Sequence, residues 1–190
     1  MAIKTMSTSS GGSWSIGWKQ VTLKNARYGV YNGDIRYVDI WFEEYPETIN
    51  LRMYEAKSKD GEEFAIARLF KLANAGIIGE VMNSGAKKSL QYDDDAKNLN
   101  GKRIIVFFYK NDEGFFRVLN RVAPVAQDGD VISHTEKDVE YWKKQGEKYY
   151  EEYKKPSGNE EGMIEMNVEE IKDVLTTETN TTTEVTEPPF

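Results

Sequence analysis

The residues of this 190-residue chain whose types and spacing could do chemistry are aromatics and bases set at strand intervals. Tyr37 and Trp41 fall on one side of the run IRYVDIWFEE (35–44), opposite Val38, Ile40 and Phe42. Arg52 and Tyr54 fall on one side of NLRMYEAKSK (50–59), opposite Leu51 and Met53, and Lys57 and Lys59 come next at its turn. Arg117 and Arg121, four apart, share one side of a later run. Aromatics exposed on a strand stack on any base, at roughly 1–3 kcal/mol each. Lys and Arg beside them pair with phosphates and release counterions. Lys87 and Lys88, in the segment 82–101, suit a clamp over such a strand. The same aromatics also suit a different role, in which Trp41 and Tyr54 cover a second core beneath Trp14 and Trp18.

Groups for covalent or acid–base chemistry are sparse. Cys is absent, which excludes disulfides, thiol catalysis, Cys-ligated zinc and iron–sulfur clusters. The single His, His134, excludes any site built on two histidines, and its place at a helix entry suggests a surface residue. There is no Ser/His/Asp order, no HExxH and no phosphate-cradling glycine loop. Asp93-Asp94-Asp95 could take a divalent cation, but with no further ligand set in view it reads as a solvated loop. The expectation is a non-enzymatic protein with no metal and no cofactor. No run of 18 apolar residues occurs and the N-terminal residues lack an apolar signal core, so the expected location is intracellular.

The elements that must position these side chains emerge from periodicity. Residues 1–13, rich in Ser, Thr and Gly, read as a flexible arm, and Trp14 and Trp18 dock the chain onto the body. Strands are expected at 19–31, 35–44, 50–59, 102–110 and 114–125. Asn32-Gly33-Asp34 gives a tight hairpin between the first two, because Asn and Gly tolerate positive φ. Ile66, Leu69, Phe70, Ala73 and Ile77 recur at helical spacing, which predicts an amphipathic helix over 62–81, broken near Gly76. Residues 82–101 read as a long loop. Three strands, a helix and two strands is the chain order of the OB-fold, a five-stranded Greek-key barrel. The body is therefore expected over 14–132, mainly β. A charged helix is expected at 133–156, with Thr135 as cap and Asp138 three residues on. Its stripe Val139, Trp142, Tyr149 and Tyr153 would pack on the barrel or form a homodimer. Residues 157–190 read as an acidic, largely disordered tail, with a short helix over 167–175.

At face value, the net charge of −7 argues against a nucleic-acid partner. Its distribution removes that objection. Residues 157–190 hold nine acids and one base; taking these from the chain's 32 acids and 25 bases leaves 23 and 24, a net of +1 over 1–156. The tail ends Glu187-Pro188-Pro189-Phe190, an exposed aromatic beside a carboxylate, which suits docking in a partner's apolar pocket lined by a base.

An OB-ordered body with an acidic tail ending in Phe resembles single-stranded-DNA-binding proteins. In bacterial members the tip is acidic residues and then Ile-Pro-Phe, and Glu187-Pro188-Pro189-Phe190 is similar. The segment Asn98-Leu99-Asn100-Gly101-Lys102 before a hydrophobic strand, and a last strand ending Arg121-Val122-Ala123-Pro124, look more like bacteriophage-encoded versions. The Thr-rich tail and the helix at 135–153 depart from the pattern. The resemblance implies sequence-independent binding of single-stranded DNA in replication, recombination or repair. It also implies recruitment of replication or recombination proteins by the tail, in the host cytoplasm if the chain is phage-encoded. The alternative is a protein–protein adaptor or assembly factor on a small β-barrel, with the aromatics at 37, 41 and 54 buried at a protein interface.

Overall fold

A computed structural model of the chain describes residues 14–59, 61, 63–82, 88–129 and 131–155, with the backbone alone for Met82 and Lys88. The expected arm at 1–13, the helix at 167–175 and the acidic tail lie outside the described residues.

Alternation of apolar and polar residues builds the main sheet. Its strands are β1 (Gly17–Tyr31), β2 (Ile35–Phe42), β3 (Asn50–Tyr54), β6 (Arg103–Lys110) and β7 (Phe116–Ala123), in the spatial order β3-β2-β1-β6-β7. Every neighbouring pair is antiparallel. The long β1 serves both halves: Gly17–Thr22 pair with β6, and Leu23–Tyr31 pair with β2. Asn32 and Gly33, at φ 48° and 85°, make the turn into β2. Val21, Leu23, Val38, Ile40, Phe42, Leu51, Met53, Ile104, Val106 and Phe108 all face inward and are buried in one core. The expected faces of β2 and β3 are those observed.

The two edges, β3 and β7, approach each other as the sheet curls. Among the described residues no ladder joins them, so the sheet is not the closed barrel expected. β3 is only five residues long, and β7 spends four residues (118 to 122) where β6 spends two (108 to 106). Edges so unequal do not present matched rows of donors and acceptors.

The segment 62–101 needs the largest correction. The helix α1 covers only Ala65–Leu72, and the loop expected at 82–101 is partly ordered structure. Asn74 at φ 49° and Gly76 at φ 62° end the helix. Gly76 is required there for a second reason: a Cβ would strike the Asp93 carbonyl. Beyond it, the β-branched Ile77, Ile78 and Val81 extend as β4 (Ile77–Met82), paired with β5 (Lys88–Tyr92) in a separate two-stranded sheet. The helical spacing from Ala73 to Ile77 is therefore a coincidence of composition. A 3-10 turn (Ala96–Leu99) then delivers Leu99 to the core. Glu63 starts α1 by accepting from the backbone N–H groups of Ile66 and Ala67, at 2.7 and 2.8 Å.

The second helix, α2 (Glu136–Tyr153), has the anticipated start. The Thr135 hydroxyl accepts from the Asp138 N–H while the Asp138 carboxylate accepts from the Thr135 N–H, at 3.4 and 2.7 Å. His134 is not a surface residue: it is 7% exposed, bridged to Gln127 through the backbone, with Nε2 3.1 Å from the Lys71 carbonyl. No helix among the described residues is long and apolar enough to cross a membrane.

Candidate nucleic-acid interface

The outer face of β1, β2 and β3 carries three cross-strand rows. Register places Asn25, Trp41 and Asn50 in one row, Arg27, Asp39 and Arg52 in the next, and Gly29, Tyr37 and Tyr54 in the third. Tyr31 extends the face at the hairpin end; its ring meets Tyr54 edge-on at 6.0 Å, and Tyr54 meets Tyr37 at 5.8 Å. Four of the residues expected to supply stacking and charge, Tyr37, Trp41, Arg52 and Tyr54, are thus brought together on one surface. The alternative of a second core beneath the first tryptophans does not hold. Trp14 packs on Tyr45 and Phe116, and Trp18 packs on Phe107.

The face is held rigid by polar contacts. Asp39, 8% exposed, accepts from Nε and Nη2 of Arg52, both at 2.7 Å, and from the Asn50 amide at 2.9 Å. The bonds from Asp39 raise the guanidinium pKa above its already high value, so Arg52 keeps its charge at every working pH. The Trp41 indole donates to the Glu47 carbonyl at 3.1 Å, which fixes the ring across the strand ends.

The other expected contacts are scattered. Lys57 bridges to Glu63 through the backbone, and its Nζ lies 3.5 Å from Glu55. Lys59 is exposed in the turn after β3. Lys87 lies outside the described residues, as do Glu187, Pro188, Pro189 and Phe190; Lys88 pairs with Met82 across β4 and β5. Arg117 and Arg121 belong to β7, on the side of the sheet that α2 covers. The Arg121 guanidinium sits 4.1 Å over the Tyr149 ring, and Arg117 lies 5.8 Å over Phe115.

That second side is a packed interface. Val139 of α2 joins Ile105, Ala123 and Val125 in a small core, with Trp18 and Trp142 against it. Trp18 Nε1 donates to Glu147 at 2.7 Å. Tyr150 packs near Phe107 and Tyr109, at 5.1 and 5.5 Å. Burial there raises the Tyr109 phenol pKa. Of the anticipated stripe, Val139, Trp142 and Tyr149 meet the body, while Tyr153 is largely exposed.

Asp93, Asp94 and Asp95 are employed locally. Asp93 accepts from the Asp95 N–H, Asp95 from the Lys97 N–H, and Asp94 pairs with Arg36 at 3.0 Å. Among the described residues no cluster of three acidic or histidine side chains could hold a metal ion.

Periodicity alone misses two residues of the face, Arg27 and Tyr31. Val21 and Leu23 set an odd-numbered inward face. A bulge between Leu23 and Asn25 then flips it, so that Ala26 and Tyr28 turn inward and Arg27 and Tyr31 outward. Alternation in the bare sequence carries no mark of that extra residue. No protein-family model, curated protein or solved structure matches this chain.

Proposed function

We propose that this chain is a non-enzymatic, sequence-independent single-stranded-DNA-binding protein. The observation that carries the reading is the outer face of β1, β2 and β3, which no helix among the described residues covers and where Tyr31, Trp41 and Tyr54 stand beside Arg27 and Arg52. Aromatics supply stacking to any base and the cations supply attraction to the backbone. The strand order supports an OB-type architecture of the partly open kind: a long β1 shared by both halves, a helix between β3 and β6, and edges that approach without pairing. On that architecture the outer face of the second and third strands is the usual groove for a single strand.

In this reading the acidic segment 157–190, with its Glu187-Pro188-Pro189-Phe190 motif, docks replication or recombination proteins. With a body of net +1, affinity rests on the local face and is modest at physiological salt. A salt titration with fluorescent oligo(dT) tests the reading. Binding at low salt that weakens steadily as salt rises supports it. Absence of binding at low salt, or affinity indifferent to salt, overturns it. Removing 157–190 should preserve or strengthen that binding; its loss would place the tail in the groove instead.

A further inference from the structure

Tyr37 is an expected stacking residue, yet both faces of its ring are taken. On one side the ring lies against the backbone of Gly29, where an added Cβ would fall on the phenol. On the other, the Arg52 guanidinium carbon sits 4.1 Å from the ring centroid. The surface that a base would meet there is Arg52. Its Nε and Nη2 are given to Asp39, both at 2.7 Å. Those bonds run in the guanidinium plane and occupy its Nε–Nη2 edge. The side chain is 41% exposed, and the flat face turned away from Tyr37 is open to a base. A phosphate could reach only the Nη donors that Asp39 leaves over, and there it would meet that carboxylate's charge.

We propose that Arg52, backed by Tyr37 and clamped by Asp39, is a stacking plane for a nucleobase and not a phosphate contact, with Asp39 as its positioning residue. The inference rests on the single-strand reading and sharpens it. A planar guanidinium stacks on a base much as an aromatic ring does, and an ammonium cannot. The phosphate contact in the same row falls to Arg27, which is exposed on β1 in register with Asp39.

The test compares the full chain and its Arg52→Lys variant on two fluorescent probes of equal length, oligo(dT) and an abasic phosphodiester. Lysine keeps a positive charge beside Asp39, so the carboxylate stays paired; thermal unfolding of the variant checks this. The expected result is a loss of roughly tenfold on oligo(dT) and no change on the abasic probe. Equal behaviour of the variant and the parent on oligo(dT), or parallel losses on both probes, would overturn the inference. Asp39→Asn gives a second reading. Loosening the plane should weaken oligo(dT) binding and spare the abasic probe, whereas a phosphate-binding Arg52, freed from its carboxylate, would bind both more tightly. If the parent binds neither probe, the single-strand reading itself fails. If it binds both equally, that reading stands and the stacking role is refuted.

Discussion

The two outer faces of the main sheet are made of similar residues and meet different fates. On the β6–β7 side, Trp18, Phe107, Tyr109 and Arg121 lie against α2, which brings Val139, Trp142, Tyr149 and Tyr150 to them. On the β1–β2–β3 side, no helix among the described residues lies over Tyr31, Trp41, Tyr54, Arg27 and Arg52. An aromatic beside an arginine is therefore not in itself a binding signal in this molecule. Arg121 over Tyr149 ties a helix to a sheet, while Arg52 over Tyr37 faces outward. What separates them is whether an amphipathic element elsewhere in the chain has the matching apolar stripe.

That contrast can be broken by attacking the covered face and asking whether the open one notices. Trp142 touches both apolar cores, so Trp142→Ala should cost about 3 kcal/mol of stability, as large-to-small core changes do. Urea unfolding measures it, and oligo(dT) affinity under folding conditions should stay put. Gly146 gives a smaller lever. A Cβ there would come within 2.7 Å of the Trp18 ring, so Gly146→Val should destabilise by about 1–3 kcal/mol through overpacking. A fall in DNA affinity with either variant while it remains folded would show that the two faces are coupled.

The open face is probed in the opposite sense. Tyr54→Ala should weaken oligo(dT) binding by roughly 1–3 kcal/mol while leaving the urea midpoint nearly unchanged. If stability fell and affinity did not, Tyr54 would be a packing residue like Tyr149. The smallest expected effect lies at the start of α2. Partial burial opposes the charge of Asp138, but hydrogen bonds from the Thr135 N–H and hydroxyl, with His134 and Lys71 nearby, outweigh it and hold the carboxyl below its usual pKa. A depressed folded-state pKa means stabilisation that is full above the unfolded value and fades as pH falls through the folded one. Asp138→Ala should therefore cost about 1 kcal/mol near neutral pH, and the gap between variant and parent should close in acid.

Local alternation made much of the sheet legible. The inward sets of β2 and β3, the Asn32-Gly33 turn and the Thr135–Asp138 cap all stand where periodicity and turn chemistry place them. What stayed hidden depended on contacts distant in sequence. The bulge after Leu23 turns Arg27 outward, and Gly76 is fixed by the carbonyl of Asp93. His134 is buried by its bridge to Gln127 and its contact with Lys71. Tyr37 and Arg52 are both legible as outward residues, but nothing in their spacing shows that one covers the other.

The most direct test of the open face uses its own fluorophore. Trp41 is the one tryptophan of the four on that face; Trp14, Trp18 and Trp142 pack elsewhere. Titration with oligo(dT) should quench the intrinsic fluorescence of the parent protein by base stacking on Trp41, and Trp41→Phe should remove that quench while the remaining three tryptophans stay unaffected. A quench of equal size in Trp41→Phe, or none in the parent at a salt concentration where the oligomer is bound, would contradict the assignment of this face as the DNA-binding surface.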